Sequence, residues 1–402
     1  MKVLQITAGV RGGAGIAALR LAEELRNNEL DVRILSGGEI ESASSLRFWV
    51  KRILGKFLTL YQRSITSKNY DLVTTFSIGQ IPLVDIYKFA PDIIHIHNWY
   101  NLLSVKDLGI LGKDFPLVFT LHDERLLTGG CHITLGCERF MSKCKNCPAV
   151  KINQRMVTKG KLEIEDTLKG IRNYGVISPS SWLLNKFLLT SSAAICKATR
   201  VIPNVAITSS DPPLAKSDLD GKENLKFLFV AADLSARVKD FNLAFTAIEL
   251  FEKRYGKTFK ISLHVVGKNF PKNKLRSNSI QLETYDYLSE EKLAILMSEC
   301  DALVMTSSSE NSPNIIAESQ FRGLVVIANS VGGVPELVSE QITGFLFDST
   351  AESLVDAILR FCKSTKRNEI VSNAYGFASA HWNSLDIVAS HLDLYSEIID
   401  RK

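Results

Sequence analysis

The chain has 402 residues, of which 46% are hydrophobic and 23% charged, and its formal net charge is +5. This length exceeds one ordinary hydrophobic core, so we expect two domains, and the composition excludes a disordered protein. The charge is too small for the dense basic surface of a nucleic-acid binder, although it suits an anionic substrate or an anionic membrane surface.

The chain opens with MKVLQITAGV, whose apolar run is too short for a signal peptide and predicts a first β-strand. No uninterrupted apolar run is long enough to span a membrane. Seven cysteines without a secretion signal argue against a disulfide framework. We therefore expect a cytoplasmic protein, and any membrane association to be peripheral, on the inner face of the cell membrane.

Short apolar runs alternate with segments of helical period, which predicts parallel strands joined by crossover helices. The strands predicted in the first half are 2–8, 31–36, 92–97, 116–121 and 175–180. Those predicted in the second half are 225–232, 260–267, 301–307, 324–329 and 344–348. Helices are predicted at 14–28, 240–254, 289–299, 313–322 and 351–363. The pattern indicates two doubly wound α/β domains, which bind ligands at the carboxyl ends of their strands.

A polar stretch rich in proline, 202–224, predicts the linker between these domains. The first domain then covers 1–201 and the second 225–380. The amphipathic segment 381–402 predicts a closing helix that could pack back on the first domain.

The first loop contains Gly13-x-Gly15-x-x-Ala18, which is formally a dinucleotide fingerprint. A nicotinamide site also needs a carboxylate at the end of the second strand, but that strand ends in Ser-Gly-Gly. We expect the amides at Gly12 and Gly13 to approach a phosphate or a sugar instead. The alternative is a tight turn without a ligand.

The segment 45–65 has several basic residues and no acidic one. On a helix its large apolar residues gather on one face: Trp49, Val50, Ile53, Phe57 and Leu60. This pattern is typical of an interfacial helix on an anionic membrane and equally of a helix facing the core.

Four cysteines lie close together at Cys131, Cys137, Cys144 and Cys147. The spacing is compatible with tetrahedral Zn²⁺, whereas reduced thiols, a labile disulfide or an iron–sulfur cluster are the alternatives. Although His132 could replace one cysteine, four thiolates close the metal's coordination shell. The spacing therefore favours a structural zinc over a catalytic one.

In the second half, TSSSENSPNIIAESQFRG predicts a helix with Ser312 as N-cap and Pro313 as its first residue. Its amino end then lies at the carboxyl end of strand 301–307, where a diphosphate would be stabilised. Glu310 and Glu318 flank this point, either as acceptors for sugar hydroxyls or as solvated surface carboxylates.

The run Glu310-x7-Glu318, followed by RGLVVIANSVGGVPELV and TGFLFD, resembles the donor site of retaining glycosyltransferases of the GT-B fold, carbohydrate-active family four. The resemblance includes the glycine-rich first loop, IPN at 202–204 and a closing helix. ENSPNIIAE together with the cysteines resembles a branch that builds bacterial surface polysaccharides, such as lipopolysaccharide or capsule. The implied fold is α/β, with two Rossmann-like doubly wound domains facing a cleft.

The resemblance also implies roles for individual residues. Glu310 would contact the donor sugar, Glu318 the ribose and Lys239 the diphosphate. The family's arginine is Leu234 here, and Arg237 is the substitute that the sequence offers. The remaining donor-binding contacts implied come from the backbone of Asn311, Ser312, Pro313 and Asn314.

In the first domain the resemblance assigns His122 to the donor sugar, next to the reacting carbon, so that His122, Glu310 and Lys239 form the catalytic set. Asp123 would orient His122 or a substrate hydroxyl. His95 and His97 alternate on one strand face, where they line the acceptor side or pack in the core.

The expected function is transfer of a hexose from a nucleotide sugar to a saccharide acceptor that is carried on a lipid. The anomeric configuration is expected to be retained, and catalysis is expected to need no metal ion. One alternative is a nucleotide-sugar epimerase or phosphorylase on the same fold. The other is a catalytically inactive, zinc-stapled sugar-binding protein.

Overall fold

The computed structural model describes residues 1–10, 12–37, 46–70, 72–206, 219–271 and 280–400, without the side chains of Leu46, Arg47 and Asp400. The chain divides into two compact units. Unit 1 comprises Met1–Val205 and Ser384–Lys402, and unit 2 comprises Ala206–Asn383. The centre of the predicted linker, 207–218, lies outside the described residues.

Unit 1 is built on a parallel sheet with the strand order β2-β1-β3-β4-β5-β6. Its strands are β1 (Lys2–Thr7), β2 (Asp31–Ser36), β3 (Ile93–Ile96), β4 (Leu117–Thr120), β5 (Tyr174–Ser178) and β6 (Ala198–Val201). Its helices are α1 (Gly13–Asn27), α2 (Leu46–Ile65), α3 (Leu83–Phe89), α4 (Val105–Asp114), α5 (Arg155–Gly170), α6 (Ser181–Leu188) and α12 (Ser384–Asp400).

Unit 2 is built on a second parallel sheet with the order β12-β11-β10-β7-β8-β9. Its strands are β7 (Asn224–Asp233), β8 (Lys260–Lys268), β9 (Gln281–Tyr285), β10 (Ala302–Met305), β11 (Val325–Asn329) and β12 (Gly344–Phe347). Its helices are α7 (Phe241–Tyr255), α8 (Glu290–Glu299), α9 (Asn314–Phe321), α10 (Ala351–Lys363) and α11 (Arg367–His381).

Each sheet is covered on both faces, which explains why its strands read as continuous apolar runs. In β7, Phe227 and Phe229 belong to one core cluster of unit 2, whereas the intervening Leu228 belongs to another. In unit 1, Leu4 and Val3 are divided in the same way between two clusters. The predicted doubly wound α/β class is therefore confirmed.

The last helix, α12, belongs to unit 1. Its buried residues Leu394, Tyr395 and Ile398 share a cluster with Val3 and Ile93. Arg200 of β6 pairs with Glu397 at 2.8 Å. The first unit therefore contains both an early and a late stretch of the chain.

Two details differ from the sequence predictions. Helix α9 begins one residue late, because Pro313 is the N-cap and Ser312 precedes it. Strands β6 and β9 were not among the predicted strands. Within the ranges that the structure describes, no helix combines the length and apolarity needed to cross a membrane.

Candidate active site

The strand order of unit 2 brings two predicted catalytic residues together. Strand β7 pairs with β10, and the connections leave these two neighbours in opposite directions, so they flank the topological switch point of the sheet. Lys239 follows β7 and Glu310 follows β10. The Lys239 Nζ lies 2.5 Å from the Glu310 Oε1. Doubly wound sheets bind their ligands at such a point.

Hydrogen bonds between the two loops hold Lys239 in this place. Asp240, at φ 42°, is the N-cap of α7, and its carboxylate accepts from the Leu243 amide at 3.2 Å. The Thr306 hydroxyl lies 2.9 Å from the carbonyl oxygen of Lys239 and 2.8 Å from that of Asp240. The Lys239 loop is thus tied directly to the end of β10.

A glycine turn after β11 fixes the backbone of Glu310. The Gly333 amide donates to the Glu310 carbonyl oxygen at 3.0 Å. Gly332 has φ +58°, and a Cβ atom built on it would lie 1.9 Å from the same oxygen. Only glycine fits this position without movement. No residue of this turn was predicted as a site residue, although the Val-Gly-Gly sequence indicates a tight turn.

The stretch from Asn311 to Asn314 leads from Glu310 into the first turn of α9. Pro313 at the N-cap makes no side-chain capping bond to the amides of that turn. Glu318 lies half-buried on the second turn. The amino end of α9 thus follows directly on Glu310, where its partial positive charge suits an anionic ligand.

The arginine that the resemblance leads one to expect at position 234 is replaced by a core residue. Leu234 is buried in the core of unit 2. Arg237 is exposed three residues later. Both residues line an open cavity of about 710 Å³, together with Asn242 and Asn269. The exposed guanidinium of Arg237 is therefore the cation that this loop presents beside Lys239.

In unit 1 the predicted sugar-side residue, His122, is bonded to another histidine. Its Nε2 lies 2.9 Å from the Nδ1 of His97. The His97 ring packs on His95 with the centroids 4.2 Å apart, and His95 contacts the Tyr395 hydroxyl at 2.6 Å. Of the two possibilities for His95 and His97, the structure favours packing, because both are buried.

These histidines are neutral at pH 7. Burial lowers the pKa of His122 to about 4, although the charge of Asp123 opposes the shift. Burial also lowers the pKa of His95 and His97 well below the usual range, and the neighbouring imidazoles add to this effect. The ring of His122 is thus a hydrogen-bonding group and not a cation.

The Asp123 carboxylate lies against Arg125 and His132. It accepts from the Arg125 amide at 2.8 Å and lies 3.6 Å from the Arg125 guanidinium and 3.3 Å from His132. Burial alone would raise the pKa of Asp123, but Arg125, with His132, outweighs it and holds the pKa below its usual range. Arg125 is itself buried and donates to Asn98 at 2.8 Å.

His132 is therefore occupied by Asp123 and Arg125, which leaves the four cysteines as the candidate metal ligands. Cys131, Cys137, Cys144 and Cys147 all line one internal cavity.

The glycine-rich loop of unit 1 lies after β1, beside β3, at the switch point of the first sheet. Gly12 is the N-cap of α1 with φ 98°, and Gly13 is the first residue of this helix. A Cβ atom on Gly15 would lie 2.1 Å from the Gly9 oxygen, so the loop folds closely on itself. The close turn expected from the sequence is present.

Two Rossmann-like units of this kind define the GT-B class of fold, and comparison with solved structures agrees. HepE from Anabaena, in complex with UDP and glucose, matches with a TM-score of 0.60 at 15% identity, covering 98% of this chain and 99% of that one. Sucrose-phosphate synthase from Thermosynechococcus elongatus matches with a TM-score of 0.64 at 17% identity over both whole chains.

Residues 214–377 match the family described as "Glycosyl transferases group 1". The "Putative colanic acid biosynthesis glycosyl transferase WcaC" of Escherichia coli (strain K12) is 29% identical over 272 residues, 62% of this chain and 63% of the relative. The chain thus aligns with less than two thirds of that protein. The "Uncharacterized 41.2 kDa protein in cps region" of Klebsiella pneumoniae is 23% identical over 98% of this chain and 99% of the relative.

Proposed function

We propose that this protein is a glycosyltransferase that moves a sugar from a nucleotide-sugar donor to a saccharide acceptor. The observation that carries this proposal is the pair of Lys239 and Glu310 at the switch point of unit 2. A lysine beside a helix amino end suits the diphosphate of such a donor, and a carboxylate next to it suits the sugar hydroxyls.

In this proposal the protein stabilises the charge of the departing diphosphate. Lys239 supplies a full positive charge, and the amino end of α9 supplies about half a charge and donor amides. No divalent ion is then required in catalysis. The acceptor hydroxyl attacks from the face that the diphosphate leaves, so the anomeric configuration is retained. Glu310 positions the sugar and Glu318 the ribose.

His122 serves the sugar side as a neutral ring. With its Nε2 occupied by His97, the Nδ1 is the nitrogen left to contact a substrate oxygen. Its lowered pKa, about 4, keeps the ring uncharged at neutral pH. An uncharged imidazole bonds to a hydroxyl without attracting a second phosphate group.

The two sequence relatives support a role in bacterial cell-surface polysaccharide synthesis. One is named for colanic acid biosynthesis, and the other is named for its place in a cps region. The HepE structure with UDP and glucose makes a UDP-sugar the first donor to test.

Helix α2 supports an acceptor carried on a membrane lipid. Its apolar face is exposed, with Trp49, Ile53, Phe57 and Leu60 between 50% and 65% accessible. A helix whose apolar face served the core would bury these residues. Exposed Arg52, Lys56 and Arg63 lie on the same helix. Aromatic and aliphatic side chains with a basic flank fit an anionic lipid surface.

The donor is tested by measuring the binding of UDP-, GDP-, dTDP- and ADP-sugars to the wild type, Glu310→Gln and the exposed control Glu291→Gln. We expect one donor class to bind the wild type and the control alike and Glu310→Gln more weakly. Product analysis by NMR then assigns the anomer, with and without EDTA. Turnover without an added acceptor would point to an epimerase or phosphorylase, and binding without any turnover to an inactive sugar-binding protein.

The membrane contact is tested by sedimentation with vesicles that contain phosphatidylglycerol or only phosphatidylcholine. We expect the wild type to bind the anionic vesicles and Phe57→Glu to lose this binding. The control is Ile342→Glu in unit 2, where the apolar side chain is 57% exposed. Equal binding by both variants would remove α2 from the proposal.

A further inference from the structure

The chain between β4 and α5, residues 121–154, is unusual for the interior of a domain. It contains two short 3₁₀ helices, Arg125–Leu127 and Arg139–Met141, and one antiparallel bridge from Val150 to Thr66, and is otherwise turns and irregular backbone. Loops longer than about 12–15 residues without secondary structure are uncommon in compact domains. Nevertheless Phe140, Ala149 and Val150 are buried in the core of unit 1. Interactions other than the regular backbone hydrogen bonds of strands and helices must therefore hold this segment in place.

Four thiols lie at the centre of this segment. Cys131, Cys137, Cys144 and Cys147 line one internal cavity of about 20 Å³, walled elsewhere by Tyr70, Phe140 and Val157 among others. All seven cysteines of the chain are free of disulfide bonds. The cavity has room for a single ion.

The backbone between the last two cysteines adopts unusual conformations. Asn146, which lies between Cys144 and Cys147, has φ 54°. Cys144 also has φ 50°, a conformation that costs a side-chain-bearing residue about 1–2 kcal/mol and persists only where other interactions enforce it.

The charges nearby suit a cluster with a net negative charge. Four thiolates around Zn²⁺ carry two negative charges. Lys161 is fully buried, donates to the Leu127 carbonyl at 2.8 Å and pairs with Glu165 at 3.0 Å, and its charge also acts on Cys144. Arg139, which is exposed, acts in the same way on Cys147. Buried anions are retained in proteins where cations compensate them.

We propose that Cys131, Cys137, Cys144 and Cys147 bind one structural Zn²⁺ that holds the segment after His122 in place. Among the described residues no three donors yet converge as a ligand set, so binding includes rotation of the thiols into their shared cavity. A shell of four thiolates leaves no position for a reacting water, and the ion therefore acts on structure alone.

The test is the metal content of the full-length protein, purified under reducing conditions without a chelator. We expect about one zinc per chain in the wild type and in the control Cys196→Ser, and a loss of zinc in Cys144→Ser and Cys147→Ser. Cys196 is a half-buried thiol of the same unit outside the cavity.

A second measurement needs no variant. A mercurial reagent should release zinc from the wild type as the cluster thiols react, and Co²⁺ added to the metal-free protein should show the bands of a tetrahedral thiolate site. Wild-type protein that contains no zinc and takes up neither ion would overturn the proposal. So would zinc retained in both cluster variants, or an absorption spectrum of iron and sulfide. None of these results depends on a donor or an acceptor, so failure here leaves the proposed transferase function standing.

Discussion

Replacing Gly332 by alanine should disturb Glu310 without touching its side chain. The new Cβ atom would lie 1.9 Å from the Glu310 carbonyl oxygen and 3.0 Å from the carbonyl carbon. The neighbouring Gly333 amide donates to the same oxygen at 3.0 Å. The turn and the glutamate backbone therefore have to separate before an alanine fits.

The size of the effect follows from three contributions. An alanine at φ +58° costs about 1–2 kcal/mol. Since an ordinary carbon–oxygen contact is about 3.3 Å or longer, the atoms have to move apart by more than about 1 Å. This movement breaks the Gly333 bond, which contributes about 1 kcal/mol. We expect the free energy of unfolding to fall by about 2–4 kcal/mol and turnover to fall by about a hundredfold, because a displacement of about 1 Å at a positioning residue has that effect.

The assay combines urea unfolding with the donor-binding and transfer measurements. Gly376→Ala is the matched control, because Gly376 lies exposed inside α11 and a Cβ atom there meets nothing within 4 Å. This control should be neutral or more stable by about 0.5–1 kcal/mol. If Gly332→Ala unfolds at the wild-type urea concentration and transfers sugar at the wild-type rate, the turn does not hold Glu310 as described.

Three further predictions concern single residues. Burial lowers the pKa of His391 to about 4, so between pH 6.5 and pH 4 the unfolded chain binds more protons than the folded chain. The free energy of unfolding should therefore fall by up to about 3 kcal/mol on acidification. Urea titrations at pH 7 and pH 5 should show a smaller fall for His391→Gln than for the wild type. His97→Phe removes the bond to His122 and should lower kcat roughly fivefold while leaving donor affinity unchanged; an unchanged kcat would contradict the positioning role. Lys239→Met should weaken donor binding about tenfold or more in calorimetry, and a wild-type dissociation constant would remove the lysine from the diphosphate site.

Most of the strands could be predicted from the sequence because both faces of each sheet are buried. Strands β3 and β10 are buried throughout and β1 is buried apart from Lys2, so all three read as largely apolar runs. Strands β6 and β9 lie at the sheet edges, where Arg200 and Glu283 are exposed, and so they lack that pattern. The helix boundary at Ser312 was wrong by one position because Pro313, with a φ of −72°, fits the N-cap as well as the first turn.

Residues of the candidate site could be predicted where they directly follow a strand, because the strand order of the sheet then determines their position. Lys239 and Glu310 each follow a strand, and the strand order brings those strands together. The partners of His122 and Asp123 were not predictable in this way. His97 reaches His122 from a neighbouring strand, and the Arg125 guanidinium that faces Asp123 is held by Asn98. Such side-chain pairings depend on packing that no local sequence pattern encodes.

The place of α12 in the core of unit 1 has a consequence for the order of synthesis. Unit 2 is one continuous stretch of chain, so it can fold as soon as its last residue has left the ribosome. Unit 1, although it is translated first, lacks Leu394, Tyr395 and Ile398 until almost the whole chain is made, and the apolar faces of Val3 and Ile93 remain uncovered in the meantime. The nascent first half therefore exposes apolar surface for the longest time during synthesis, and a chain that ends at residue 383 has an incomplete amino-terminal core.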